Sequence, residues 1–226
     1  MANLEELQYQ LERQEAYNAV ANIMAKFVHY YARYEGEKIV ALFAGLPDVR
    51  AETVFGVYDG YESVRRCFTS PNPVTPETDG VHGELRIRPI ASPIIIVSED
   101  GKSAKASAFI PGIYGHKQDN AATEGGWYYA AYAWDFVLYR GEWKIRNFHE
   151  YSRFQIPYDT QWADLPPFDP YRIHGTTKKE FFAMQAPGIP DRRPTSAWGY
   201  HPYALYPNDQ PVIPAPYRSY DPDKAY

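Results

Sequence analysis

The residues best suited to chemistry cluster in Gly125–Tyr151, GGWYYAAYAWDFVLYRGEWKIRNFHEY. Histidine is the side chain best suited to shuttle protons at neutral pH, which makes His149 the natural base of this stretch. If residues 142–152 form a strand, alternation puts Trp143, Ile145, Asn147, His149 and Tyr151 on one face, and Lys144, Arg146, Phe148, Glu150 and Ser152 on the other. The first face is apolar near Gly141 and polar at its far end. Upstream, Tyr128, Ala130, Tyr132, Trp134, Phe136 and Leu138 share a side and change the same way, from phenols to pure hydrocarbon. Two such arms make a packed floor with a wet, aromatic mouth, a natural place for a small-molecule pocket. In it His149 would serve as base, Asn147, Tyr132 and Tyr151 would orient a ligand, and Tyr128 and Trp134 would supply ring surface. Asp135 points the other way by parity and reads as structural. Arg86 and Arg88 share a strand face further upstream, and a buried guanidinium at Arg88 could hold a developing oxyanion.

Other chemistries find no support in the motifs. There is no H-x-x-x-H, no H-E-x-x-H, no C-x-x-C, no Gly-rich phosphate loop and no G-x-S-x-G elbow. The reading therefore calls for no metal and no cofactor. A net charge of -5 leaves no basic stripe for a phosphate backbone, which argues against nucleic acid as a partner. The single Cys67 cannot form an internal disulfide, and no apolar run reaches the roughly 18 residues that span a bilayer. A cytoplasmic protein without a membrane partner is expected. Aromatic residues make up 16% of the chain, 21 of them Tyr, a surplus suited to flat organic ligands and to contacts between subunits.

These side chains must be positioned by a mixed set of elements. Leu4, Leu7, Leu11, Val20, Ile23, Phe27, Tyr30 and Tyr34 recur at three-to-four spacing, which predicts one long helix, or two in series, over 4–34, stopping at Gly36. A short helix over 37–43, a strand over 49–55, a turn or short strand over 56–59 and a third helix over 61–68 follow. Residues 69–83 read as a Pro-rich loop. From Glu84 to Val97 the chain is β-branched, but Pro89 and Pro93 each remove a ladder donor, so this strand must bend or bulge. A turn at 98–101 leads to a strand over 103–113. A polar loop over 112–126, with His116, Asp119 and Asn120, would overhang the mouth, and Arg140-Gly141 turns the final hairpin.

After Tyr151 the composition changes: 13 of the 20 prolines lie from Pro157 onward, interspersed with Tyr and Trp. Disordered segments are usually poor in such rings. The chain thus divides into a domain over 1–155 and an extended Pro/Tyr-rich arm over 156–226, whose rings would pack on the domain or on a neighbouring subunit of a homodimer or homotrimer. Only 176–184 looks helical within the arm.

The order helix, helix, strand pair, helix and long curved strands, ending in Asp135-Phe-Val-Leu-Tyr-Arg-Gly-Glu-Trp-Lys-Ile145, resembles the nuclear transport factor 2-like superfamily in its SnoaL-like branch, over about residues 10–155. The resemblance implies an α+β fold: a cone-shaped half-barrel with a curved, mixed, six-stranded sheet, three helices, and a pocket plugged by the first helix. Scytalone dehydratase, bile-acid 7α-dehydratases and formaldehyde-releasing lyases of lignin-derived dimers are similar members, and they eliminate by general acid/base chemistry without a cofactor. Matched onto this chain, the active Tyr of the first helix resembles Tyr30, with Tyr31 and Tyr34 beside it. The acid before the second helix resembles Glu35, and the polar position on the penultimate strand resembles Tyr132. The family's His on the strand after the third helix is missing here, and Arg88 stands near its place.

The leading expectation is a cofactor-independent lyase for a hydrophobic, hydroxylated aromatic substrate, with His149, Tyr30 and Arg88 as catalytic groups. Release of formaldehyde from a lignin-derived diarylpropane to give a stilbene is one form of it, and dehydration of a polycyclic or steroid-like alcohol another. A cyclase or isomerase using the same base, and a non-catalytic binding module with a purely apolar lining, remain alternatives.

Overall fold

The computed structural model describes residues 3–69, 85–117, 123–161, 188–196 and 210–226. Helix α1 (Leu4–Ala32) starts at Asn3, whose side chain accepts the Glu6 N–H, and carries Glu5 and Glu6 in its first turn where the helix dipole favours negative charge. It buries Ala16, Val20, Ile23, Met24 and Phe27, whereas Leu4, Leu7 and Leu11 are exposed. The apolar spacing thus overstates the buried stripe, which begins at Ala16; nearer its start α1 reaches the sheet through polar contacts, Arg13 donating to the carbonyls of Val97 and Ser98. The chain then forms α2 (Gly36–Val40), β1 (Arg50–Thr53), β2 (Gly56–Asp59) and α3 (Tyr61–Thr69).

The sheet is α+β in context, curved, mixed and unclosed, with order β2-β1-β7-β6-β5-β3 and β4 also paired to β5. Strands β3 (Leu85–Ile87), β4 (Ala91–Val97), β5 (Ser103–Lys117), β6 (Thr123–Tyr139) and β7 (Glu142–Pro157) run antiparallel, and β1 lies parallel to β7. Seven strands are present rather than six, because the segment from 84 to 97 breaks between β3 and β4 at the Pro89 bend. A second irregularity lies between Ala91 and Ile94, where Ser92 takes a positive φ of 49° before Pro93. Strands β5 and β6 also run beyond their expected ends and stay paired from Gly112↔Tyr128 to Lys117↔Thr123, so most of the expected loop over 112–126 is ladder. The tight turn between β6 and β7 uses Arg140 and Gly141, both at positive φ as such turns require.

Two bulges in β7 set the rest of the architecture. Asp135 pairs with Asn147 but Phe136 pairs with Ile145, leaving Arg146 as an extra residue; Arg153 is extra in the same way between Phe154 and Ser152. An extra residue reverses alternation, so Trp134 faces Phe148 and Tyr132 faces Glu150 on the concave side. There Phe27 of α1 packs on Tyr132, Trp134, Phe148 and Phe68, with ring centroids between 4.7 and 6.4 Å apart. Ala104, Ala106, Ala108 and Ile110 of β5 complete this core.

The convex side is covered in part by the C-terminal residues of the same chain. Val57 pairs with Arg192, and the Glu99 and Asp100 N–H groups donate to the carbonyls of Tyr217 and Arg218. Residues 70–84, Asp119, Asn120, the stretch 176–184, His174 and His201 lie outside the described residues. Among the described residues, no helix is long and apolar enough to cross a membrane.

Candidate active site

At the open end of the concave face, four polar side chains converge inside the aromatic core. Arg88, just after β3, donates from Nη1 to the Tyr132 hydroxyl at 2.7 Å and lies 3.7 Å from Glu150 Oε1. Tyr128 donates its hydroxyl to the same Glu150 oxygen in a very short bond, and the two phenol oxygens are 3.3 Å apart. The Arg88 guanidinium is sandwiched, with Tyr128 at 3.8 Å and Tyr31 at 4.6 Å from the ring centres. Tyr128, Tyr132 and Glu150 are buried, and the Arg88 side chain retains 13% exposure.

Topology explains the convergence. Tyr128 and Tyr132 lie four residues apart on β6 and share its concave face, and Glu150 is the direct cross-strand partner of Tyr132 on β7. Arg88 comes from the bend between β3 and β4. Space for it depends on Gly112, where a Cβ would lie 2.6 Å from the Ile87 carbonyl, 3.3 Å from Tyr128 and 3.4 Å from Arg88 Cγ.

The electrostatics keep the members in distinct states. Burial drives both phenols above their ordinary range; Arg88 opposes this and Glu150 adds to it, so both remain protonated donors. Burial also works against the charge of Arg88, but the surrounding phenols and Glu150 outweigh it and keep the guanidinium charged. Because Tyr128 has one proton and gives it to Glu150, the hydroxyl proton of Tyr132 is the one free to turn to another acceptor. Glu150 Oε2 has no hydrogen-bond partner among the described residues. Burial raises the nearby Cys67 thiol, with Glu150 adding to the effect, so Cys67 stays neutral rather than nucleophilic. An apolar cleft of about 330 Å³ reaches Tyr128 from the outer edge, lined also by Ile87, Pro89, Pro111, Ile113 and Trp127.

The other expected residues are placed as follows. Tyr31 faces Arg88, whereas Tyr30 is half-buried beside the Lys38 ammonium, 5.6 Å from its ring centre. Tyr34 takes a positive φ of 58° and carries the Arg86 guanidinium 4.2 Å from its ring centre. Glu35 caps α2 and bonds Lys38 at 2.8 Å. Trp134 lies on the concave floor with its Nε1 unpartnered among the described residues.

His149, Asn147 and Tyr151 lie on the opposite, convex face. The alternation that joined them to Trp143 and Ile145 is reversed by the bulge at Arg146, so His149 pairs with Ala133 and Tyr151 with Ala131, away from the core. His149 Nε2 lies 3.2 Å from Glu52 Oε1 and 3.1 Å from Ser196 Oγ, and its ring stacks on Tyr151 at 3.8 Å. Glu52 is fully buried and accepts from the Thr195 N–H, the Thr195 hydroxyl and the Ser196 N–H. Burial disfavours its charge, but His149 and these donors hold the carboxyl down to about 2. Both contacts of His149 use the same ring nitrogen, and Nδ1 is buried without a partner among the described residues. A relay needs one nitrogen for each neighbour, so the cluster is built as a clamp on residues 195–196.

Asn147 donates to Asp135 and to the Tyr220 hydroxyl, while Asp135 also takes Lys105 at 2.6 Å and the Tyr226 N–H at 2.7 Å. These contacts tie down the end of the arm. No set of three His, Cys, Asp or Glu residues among the described ones is placed to hold a metal.

Glu150 is the site residue that simple alternation misses, because alternation places it on the strand face opposite Asn147 and His149. The signal pointing the other way is Phe148, a large apolar residue out of phase with Trp143 and Ile145.

Comparison with known proteins agrees with the fold. A family model described as a SnoaL-like domain matches residues 12–149. No curated protein matches the chain. Among solved structures, a putative scytalone dehydratase from Novosphingobium aromaticivorans is similar at 15% identity, covering 67% of this chain and 93% of that one, with a TM-score of 0.52. A hexachlorocyclohexane dehydrochlorinase, LinA-type3, from Novosphingobium barchaimii is similar at 16% identity over 70% of this chain and 99% of that one, with a TM-score of 0.51. A third, from N. aromaticivorans and described as having a cystatin-like fold, has 15% identity, 72% and 95% coverage and a TM-score of 0.50.

Proposed function

This chain belongs to the SnoaL-like domain family, and from that premise we propose that it is a cofactor-independent lyase acting by general acid/base elimination on a hydrophobic, hydroxylated aromatic substrate. The observation that carries the reading is the buried group of Glu150, Tyr128, Arg88 and Tyr132, a carboxylate and a guanidinium facing each other inside an aromatic cone. A binding module for an apolar ligand gains nothing from burying these groups, and doing so is costly.

Roles follow from the protons. Glu150 Oε2 is the base and takes a proton from the substrate carbon next to the departing group. As the carbon–oxygen bond breaks, Tyr132 donates its proton to the leaving oxygen, so hydroxide departs as water and the electron pair of the broken C–H bond becomes the new double bond. The positive charge of Arg88, 2.7 Å from the Tyr132 hydroxyl, stabilises the phenolate this leaves. Tyr128 bonds Glu150 and lies 3.3 Å from Tyr132, so the proton can return through it and reset the site. The same base, acting on a CH2OH neighbouring a benzylic leaving group, would release formaldehyde from a lignin-derived diarylpropane and leave a stilbene. Two neighbours in fold are named for eliminations, a dehydratase and a dehydrochlorinase, which agrees with the class.

The test is a panel of lignin-type dimers and hydroxylated polycyclic alcohols, with products read by mass spectrometry. Products lighter by one water, or by one water together with one formaldehyde, support a lyase and distinguish its two forms. Products of unchanged mass, or no turnover across the panel, contradict it.

A further inference from the structure

Building on the elimination site proposed above, we infer that its substrate carries a carboxylate, and that Arg86 anchors it. Arg86 and Arg88 project from the same side of the β3 segment, and both guanidinium groups stand over Tyr31, at 5.6 and 4.6 Å from its ring centre. Their bonding differs. Arg88 is committed to Tyr132 and Glu150. Arg86 holds its guanidinium carbon over the Tyr34 ring, 4.2 Å from its centre, and has no carboxylate, carbonyl or hydroxyl acceptor among the described residues.

Stacking occupies the faces of a guanidinium and leaves its N–H groups, which lie in the plane, free for an oxygen. The planar fork matches a carboxylate with two parallel hydrogen bonds, the geometry in which Arg gives most specificity. The balance of charge points the same way. Among the described residues, two arginines meet one carboxylate, Glu150, in this part of the cone, which leaves a positive site whose low-dielectric aromatic walls strengthen its attraction for an anion. Tyr34 holds its ring under Arg86 from a left-handed backbone position at the end of α1, so the platform is fixed before any ligand arrives. The substrate class is therefore an aryl carboxylic acid, bound with its acid group at Arg86 and its reacting carbon towards Glu150.

The experiment is calorimetric titration of the full chain with 4-hydroxycinnamate and 2-naphthoate, each beside its own methyl ester, repeated in Arg86→Met, Arg86→Lys and Glu150→Gln proteins. The acids are expected to bind at least tenfold more tightly than the esters. Arg86→Met removes that preference without weakening ester binding, Arg86→Lys keeps part of it, and Glu150→Gln keeps all of it. Equal binding of acid and ester, failure of both acids to bind, or a preference unchanged in Arg86→Met would each overturn the anchor.

The two readings fail separately. If neutral alcohols are turned over in a Glu150-dependent way while acids gain nothing, the carboxylate anchor falls and the lyase stands. If acids bind through Arg86 but no substrate is ever eliminated, the lyase falls and the anchor stands.

Discussion

Tyr132 and Glu150 are direct cross-strand partners on the concave face, while His149, one residue before Glu150, pairs with Ala133 on the convex face. The bulge at Arg146 decides which of two adjacent titratable residues enters the cone. The one that enters is a carboxylate already bonded to a phenol and close to a guanidinium. The one left outside holds the C-terminal arm through Glu52 and Ser196.

Tyr132→Phe should fold normally and lose about 10²- to 10⁴-fold in kcat, the usual worth of a placed acid. The loss should shrink on a substrate whose leaving group needs no proton, such as an aryl ether departing as a stabilised phenolate. Steady-state kinetics on the paired substrates checks this. An equal loss on both would mean that Tyr132 only packs.

Arg88→Met leaves Glu150 buried without its cation, and breaking such a pair typically costs about 3–5 kcal/mol. Adding Glu150→Gln to that protein should recover a good part of the loss, because no unpaired charge is then buried. Urea unfolding of the two single variants and the double variant measures the coupling, and strictly additive losses would argue against it.

Much of the fold was legible in the sequence, and the reasons are physical. Aromatic and β-branched alternation marked the β6–β7 hairpin, Pro89 and Pro93 marked the bend that splits β3 from β4, and the helix periodicity marked α1. The face of each β7 residue was not legible, since a bulge inserts one residue without any special residue type, and one extra residue moves every later side chain to the other face. Which of the adjacent Tyr30 and Tyr31 meets Arg88 depends on how α1 is turned against the sheet; it is Tyr31, one turn after Phe27 and stacked on it at 6.5 Å. The clamp at Glu52 was beyond local reading, because its donors, Thr195 and Ser196, come from the arm.

The clamp makes an acid-sensitive contribution to stability. The Glu52 carboxyl is held at about 2 against an ordinary 4.5, so its contribution is full above about pH 4.5 and fades as pH falls towards 2. The difference corresponds to about 3 kcal/mol. The stability gap between wild type and Glu52→Gln, from urea unfolding, should therefore narrow steadily from pH 6 to pH 3, with amide exchange at Thr195 and Ser196 rising in parallel. A gap that is constant over this range contradicts the assignment.

Gly112→Ala should disturb the site without touching any of its polar groups. The added methyl would sit 2.6 Å from the Ile87 carbonyl and push against Tyr128 and Arg88. Overpacking of this kind costs about 1–3 kcal/mol, and turnover should fall through displacement of Arg88. Unchanged melting temperature and activity would show that the β3 bend yields freely.

The central claim is that chemistry resides in the cone at Glu150 and not at His149. Its most direct test is kcat/KM for Glu150→Gln and His149→Gln, measured side by side on one turned-over substrate with folding verified by circular dichroism. The expected result is a loss of at least 10²-fold in Glu150→Gln and a change within a few-fold in His149→Gln, consistent with a base worth about 10²–10⁴ in rate. Near-normal turnover in Glu150→Gln with activity abolished in a folded His149→Gln protein would contradict it.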